Sequence, residues 1–352
     1  MNALTPEPSR QPSRLRGDRV TLAHGGGGKA MRDLIDEVFT SVFEPAGTED
    51  QARLMHGALQ APGAQLAFTT DSFVVTPVEF PGGDIGKLAV CGTVNDLAVG
   101  GAQPLWLSAA FIIEEGCEIA LLRRVVASMA REAAIAGVRI VTGDTKVVEK
   151  GSCDTLFITT SGVGVIPAGR DMAAANIRPG DAVLVNGVLG DHGATILAAR
   201  GDLALSSPIE SDCQSLNALI EAVLAAAPDA RACRDATRGG LASALNEMAA
   251  EAGVTVTLED ADLPIRDEVR GMCELLGLDP LYLANEGTLV MFVPEKQAEA
   301  ALAAMRARPE GQGAAIIGYA AAAGPIPVVC RTAFGGTRIV DMLVGEQLPR
   351  IC

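Results

Sequence analysis

The order of its apolar segments restricts this chain more than any other feature. Strands and helices follow one another in mixed succession, without the strict alternation that builds a doubly wound parallel sheet. Residues 20–23 read as a short strand running into a glycine-rich turn. Met31, Leu34, Ile35, Val38, Phe39 and Val42 then recur at helical spacing. Residues 66–70 and 73–78 predict two β segments with Asp71 between them, and Ile85, Leu88, Ala89 and Leu97 a helix interrupted by Gly92. A nearly continuous apolar strand over 104–113 precedes an alanine-rich amphipathic helix over 121–136, closed by Gly137. Strands over 138–142 and 156–165 complete a first α/β unit. Arg178, Pro179, Gly180 and Asp181 form a turn opening a second, α+β unit. There, strands are predicted over 182–186, 254–258, 288–293, 314–319 and 326–329, and helices over 194–200, 215–227 and 241–252. The boundary falls between Pro167 and Pro179, giving domains 20–170 and 178–334 with a leader, 1–19, and a flexible tail, 335–352.

A length of 352 residues suits two such domains, and 49% hydrophobic against 20% charged residues provides real cores. Lys and Arg number 28 against 43 Asp and Glu, a net charge of −15. That balance argues against nucleic-acid or anionic-membrane surfaces, which attract clustered cations, but leaves room for one nucleotide neutralised by a metal ion. No apolar core resembling a secretion signal stands near Met1, where Pro, Ser and Arg dominate. The uncharged run 311–330 contains Pro325 and Pro327 and reads as two strands around a turn, not as a membrane span. The 8 cysteines form no CxxC pair, so they read as reduced cytoplasmic thiols, one of them the last residue.

Chemistry is written in short polar interruptions of apolar runs. His24, Gly25, Gly26, Gly27, Gly28 and Lys29 form a segment whose backbone N–H groups can approach an anion closely; equally, they can form a plain flexible loop. It is no Walker P-loop, since Ala23 and Ala30 occupy positions that motif needs as Gly and Ser or Thr. Asp71 in TTDS, Asp96 in VNDL and Asp144 in GDTK are hard oxygen donors at the ends of apolar elements, able to serve Mg²⁺ or merely to cap turns. Asp235 in DATRGG precedes a helix entered through two glycines, a further anion or metal cradle. Glu286 in ANEG suits a turn or a general base.

Taken together, HGGGGK, TTDS, VNDLA, GDTKVV, DATRGG and ANEG resemble the PurM-like ATP-dependent superfamily of aminoimidazole ribonucleotide (AIR) synthetase, selenophosphate synthetase and thiamine-monophosphate kinase. The closing Leu348, Pro349, Arg350, Ile351 and Cys352 narrow the resemblance to its hydrogenase maturation branch, the carbamoyl dehydratases (HypE). The resemblance spans 20–352. It implies a homodimer whose N-terminal strands form a shared barrel, flanked by α+β C-terminal domains. It implies ATP contacts from Gly26, Gly27, Gly28, Lys29 and Thr145, with Asp71, Asp96, Asp144 and Asp235 serving Mg-ATP. Lys146 and Glu286 would then serve proton transfer at Cys352, the acceptor. It also implies a HypF-like carbamoyltransferase as donor and a HypC/HypD-like scaffold receiving the cyanide.

That chemistry is self-consistent. A thiocarbamate on Cys352 has a poor leaving group in its carbonyl oxygen. Phosphorylation by ATP lets that oxygen depart as phosphate, and loss of the remaining nitrogen proton leaves a protein-bound thiocyanate. About 17 tail residues at ~3.3 Å each span roughly 55 Å when extended, ample reach between an internal site and a partner. Two other readings stand beside it: a small-molecule ATP-dependent ligase, which needs no terminal thiol, and a non-catalytic thiol carrier. ATP consumption dependent on a carbamoylated tail separates them.

Overall fold

The computed structural model describes residues 15, 17–45, 51–201, 208–343 and 351–352. In it the strand Gln65–Phe73 runs unbroken through Asp71, where the sequence predicts a gap, because Asp71 keeps the two-residue period and pairs with Thr160. This strand forms one edge of a four-stranded sheet, followed by Leu156–Ile166, Gln103–Glu114 and the opposite edge, Arg139–Val148. Only the last pairing is parallel. The edge strand Arg139–Val148 is twice as long as expected and carries Asp144 in its middle, not at its end.

Helix Ile85–Val99 is apolar almost all round and buried. It lies between the sheet and helix Ile119–Ala136, and its N-terminus is capped by the Asp84 side chain. The sheet's other face is open, with Leu66 64%, Phe68 67% and Ile112 40% exposed. Preceding it, Leu22–Gly25 is a 3₁₀ turn, not the predicted strand, because the Thr21 N–H donates to His24 Nδ1 and curls the chain. Helix Lys29–Leu34 continues through a π-helical segment, Ile35–Thr40.

The second half is a seven-stranded sheet in the order Thr337–Ile339, Val328–Arg331, Val254–Glu259, Ala315–Ala322, Asp181–Val185, Leu289–Pro294 and Ala232–Asp235. All pairings are antiparallel except that between Val328–Arg331 and Val254–Glu259. Apolar clusters lie on its two faces, one under helix Gly240–Ala252, the other under Asn217–Ala226 and Glu295–Arg306. Strand Ala232–Asp235 and helices Asp267–Leu276 and Glu295–Arg306 escape the sequence reading because charged side chains dilute their apolar pattern. The tail begins later than predicted: Thr337–Ile339 is a sheet strand, and Val340 is fully buried against the core. Among the described residues no helix is long and apolar enough to cross a membrane.

Candidate functional site

The two sheets meet over a group of carboxylates. Asp71 points from its strand toward the helix-covered face, beside Asp96 of helix Ile85–Val99, whose Oδ2 accepts from Thr69 Oγ1 at 2.9 Å. From the second half come Asp235, at the end of its strand, and Arg238, whose Nη2 stands 4.0 Å from Asp71 Oδ1. Glu286 enters at the turn before Leu289–Pro294. It is 4% exposed, and its Oε1 has no hydrogen-bond partner. Burial and then the Asp71 charge push Asp96 up; burial, Asp96 and Asp71 push Asp235 up to about 7. Burial, with Asp212, Asp235 and Asp71, lifts Glu286 well above the carboxylate range. Four carboxylates facing one arginine make a strongly electronegative niche. Yet no three acid, thiol or imidazole groups among the described residues are gathered closely enough to hold a metal unaided.

The turn carrying Glu286 is fixed by residues that sequence reasoning passes over. Asp212 accepts from the N–H groups of Glu286 at 2.9 Å and Gly287 at 3.0 Å, and from Thr288 Oγ1 at 2.9 Å. Asn285 accepts from the Gly190 N–H at 2.7 Å and donates to the carbonyls of Ala236 and Leu283. Asn95, one residue before Asp96, accepts from the Leu216 N–H at 2.8 Å and donates to the carbonyls of Gln214 and Glu286. Asn95 thereby ties the first half to the second beside the acid group, while Asn285 braces the second half internally.

The chain ends in this niche. Ile351 is 5% exposed within the N-terminal core, and Cys352 packs at its margin with its thiol against Glu286. Burial first, then the Glu286 carboxyl, raises the thiol far above its ordinary value; Arg238 opposes this and is outweighed. The docked sulfur is therefore a thiol, not the stabilised thiolate that a nearby arginine suggests. Val74 N–H donates to the main-chain oxygen of Cys352 at 3.2 Å, and His192 Nε2 to the Ile351 carbonyl at 2.7 Å.

The glycine-rich segment lies elsewhere. Gly25 is pressed on Val147, where an added Cβ would come within 2.9 Å of that side chain, and Gly27 adopts φ +77°, open to glycine at no cost. Gly26, Gly27, Gly28 and Lys29 are exposed. A cavity of about 410 Å³ opens between Gly27, Gly28, the following helix and the edge strand at Thr142–Thr145. In its wall Thr145 is buried with an unpartnered Oγ1. Side-chain-free backbone, an orphaned hydroxyl and the Asp144 carboxylate are donors and acceptors that fit nucleotide phosphates and a bridging cation.

A single chain does not bring all the predicted residues together. Asp144 shares its cross-strand row with Ala110, Thr159 and Ser72, and so points to the face opposite Asp71. The two acids also sit on opposite edges, three strand spacings or about 14 Å apart. Lys146 lies on that same outer face, its Nζ 2.7 Å from Asp144 Oδ2. The grouping of Asp144 and Lys146 with Asp71, Asp96, Asp235, Glu286 and Cys352 is thus not present within the protomer.

Two family models cover these halves: AIR synthase related protein, N-terminal domain, over residues 49–166, and its C-terminal domain over 178–330. The chain is 75% identical to carbamoyl dehydratase HypE of Rhodobacter capsulatus over 96% of its own length and 99% of that protein's. It is 49% identical to the Escherichia coli K12 enzyme of the same name, over 95% and 100%. Among solved structures, a hydrogenase maturation protein HypE in complex with ATP matches with TM-score 0.89 and 47% identity, covering 94% of this chain and 99% of that one. A HypE–HypF complex matches with TM-score 0.77 and 46% identity, over 88% and 99%. Thus the chain belongs to the AIR synthase related family and, within it, to the HypE carbamoyl dehydratases of hydrogenase maturation.

Proposed function

We propose that Cys352 carries the carbamoyl group and that Glu286 is the base completing its dehydration. The chain is an ATP-dependent carbamoyl dehydratase, converting an S-carbamoyl group to an S-bound cyanide equivalent for hydrogenase maturation. The observation carrying the residue assignment is the docked chain end: the Cys352 thiol abuts a buried carboxyl whose raised pKa suits exchanging a proton with the substrate nitrogen. ATP supplies the phosphoryl group that turns the carbamoyl oxygen into a leaving group. Gly26, Gly27, Gly28, Lys29 and Thr145 would bind its phosphates, and Asp71, Asp96, Asp144 and Asp235 would hold Mg²⁺, the phosphates completing a coordination shell that the protein leaves open.

The open sheet face supports a homodimer. Two four-stranded sheets closing into one barrel would set each Gln65–Phe73 edge against the partner's Arg139–Val148 edge, bringing Asp144 and Lys146 of the partner subunit toward Asp71. On this reading Lys146 acts across the interface while Glu286 acts within the chain. A HypF-like carbamoyltransferase loads the thiol and a HypC/HypD-like scaffold unloads it. The 8 free cysteines are compatible with a reducing compartment such as the cytoplasm. Mass spectrometry of the C-terminal peptide after incubation with a carbamoyl donor system and ATP tests the assignment. A carbamoyl adduct on Cys352 that then loses one water supports it; an adduct on any other cysteine overturns it.

A further inference from the structure

The thiol that must leave the protein to be loaded is held inside by one imidazole. His192, the second residue of helix Asp191–Ala199, is fully buried. Its Nε2 lies 2.7 Å from the Ile351 carbonyl, which can only accept, so the ring proton resides on Nε2. Nδ1 is then an acceptor, and it faces Ser211 Oγ at 2.8 Å, which donates to it. The same Oγ accepts the Cys213 N–H at 3.1 Å, so the hydroxyl cannot rotate away without losing that bond. Phe80 stands edge-on to the ring at 5.6 Å. Each hydrogen bond fixes the next, and the relay ends on the carbonyl one residue before the reacting sulfur. Burial holds the ring neutral, with its pKa lowered to about 4, so the tautomer persists across the physiological range.

We propose that His192 is the positioning residue of the docked tail: its Nε2–H holds the Ile351 carbonyl, sets Cys352 against Glu286, and so governs how the thiol divides its time between the interior and solvent. This inference rests on the reading of Cys352 as the carrier. The main-chain hydrogen bond to the chain end, from the Val74 N–H, is longer and comes from backbone that no substitution alters. Ile351 adds apolar anchoring but no direction. The imidazole is therefore the side chain that converts burial of the tail into one placement of the sulfur.

The experiment compares the full-length wild type with His192→Phe, which keeps an aromatic ring without a donor, and His192→Gln, which restores an N–H at similar reach. Alkylation of each cysteine by iodoacetamide is followed by peptide mass spectrometry, and dehydration by single turnover of the carbamoylated protein. His192→Phe should alkylate Cys352 about tenfold faster, equivalent to ~1.4 kcal/mol of docking, and dehydrate about tenfold more slowly, with unchanged ATP affinity. His192→Gln should recover most of both. Cys91 and Cys213, 0% and 2% exposed in the same core, report unfolding and should remain protected. Should His192→Phe not fold, Ser211→Ala removes the donor to Nδ1 and should raise Cys352 alkylation about threefold, a part of one hydrogen bond's worth. Cys352 alkylation equal to wild type, or rising only together with Cys91 and Cys213, overturns the proposal. Absence of carbamoyl from Cys352 in the wild type overturns the carrier reading instead, and the alkylation result stands apart from it.

Discussion

Asp235→Asn should make the nucleotide-free protein more stable at neutral pH and leave it unchanged in acid. In the folded chain Asp235 holds its proton up to about pH 7, against 3.8 for the unperturbed group, because burial and the charges of Asp96 and Asp71 disfavour the carboxylate. Between those two values the folded state binds more protons than the unfolded one, so stability falls as pH rises from about 4 to 7 and is level above. A displacement of about three pKa units corresponds to ~4 kcal/mol at 1.36 per unit. The partial exposure of Asp235 lets solvent screen the repulsion and brings this to ~2–3 kcal/mol. Asparagine has the same shape and no charge to bury. Urea unfolding with EDTA at pH 5, 6, 7 and 8 would follow the first transition midpoint of both proteins. The curves should lie closest at pH 5, part steadily up to pH 7 and stay equally separated to pH 8, the variant being the more resistant. Parallel curves over that range would refute the claim that this niche stores electrostatic repulsion.

Glu286→Gln should retain fold and ATP binding while slowing single-turnover dehydration by ~10²–10⁴-fold, the usual worth of a positioned base; a loss below about threefold would remove it from the mechanism. Asp96→Asn and Asp144→Asn should each weaken Mg-ATP binding in calorimetry while staying folded, and wild-type affinity in both would sink the metal assignment. Phe68→Asp, at a side chain 67% exposed on the open sheet face, should yield monomers in sedimentation velocity; a monomeric wild type at micromolar concentration would refute the shared barrel.

What the sequence made legible were side chains that violate their surroundings. Asp71, Asp96, Asp235 and Glu286 interrupt apolar runs, and an acid held there by rigid flanks announces chemistry whatever the tertiary fold. The Cys352 carrier role remains a proposal, drawn in the sequence from the closing Pro349, Arg350, Ile351 and Cys352. Asp212 and His192 were not legible, since each acts through segments some 70 or more residues away, at 286–288 and at Ile351. Their local sequence reads as an ordinary loop and an ordinary helix start. The face of Asp144 was lost for a different reason. Ending the predicted strand at residue 142 discards its parity, whereas continuing it through Val148 places Asp144 and Thr145 on opposite faces at once.

On the proposed reading of Cys352 as carrier, the docked chain end resolves two demands that conflict on one sulfur. To accept a carbamoyl group the sulfur must be a thiolate, because the thiolate is the nucleophile. Yet beside Glu286, out of water and near the Asp71 charge, the thiolate is the form the niche disfavours most strongly. Capture inside the protein is therefore blocked twice, by access and by protonation. Once carbamoylated, the sulfur carries no charge to bury, and the same niche that suppresses the thiolate accepts the thiocarbamate without that penalty. The acid group opposes the thiolate and not the neutral thiol or thiocarbamate, so on the proposed reading loading falls outside and dehydration inside. The electronegativity that costs stability at Asp235 is thus, on that reading, the property that lets one chain end serve two sites in order.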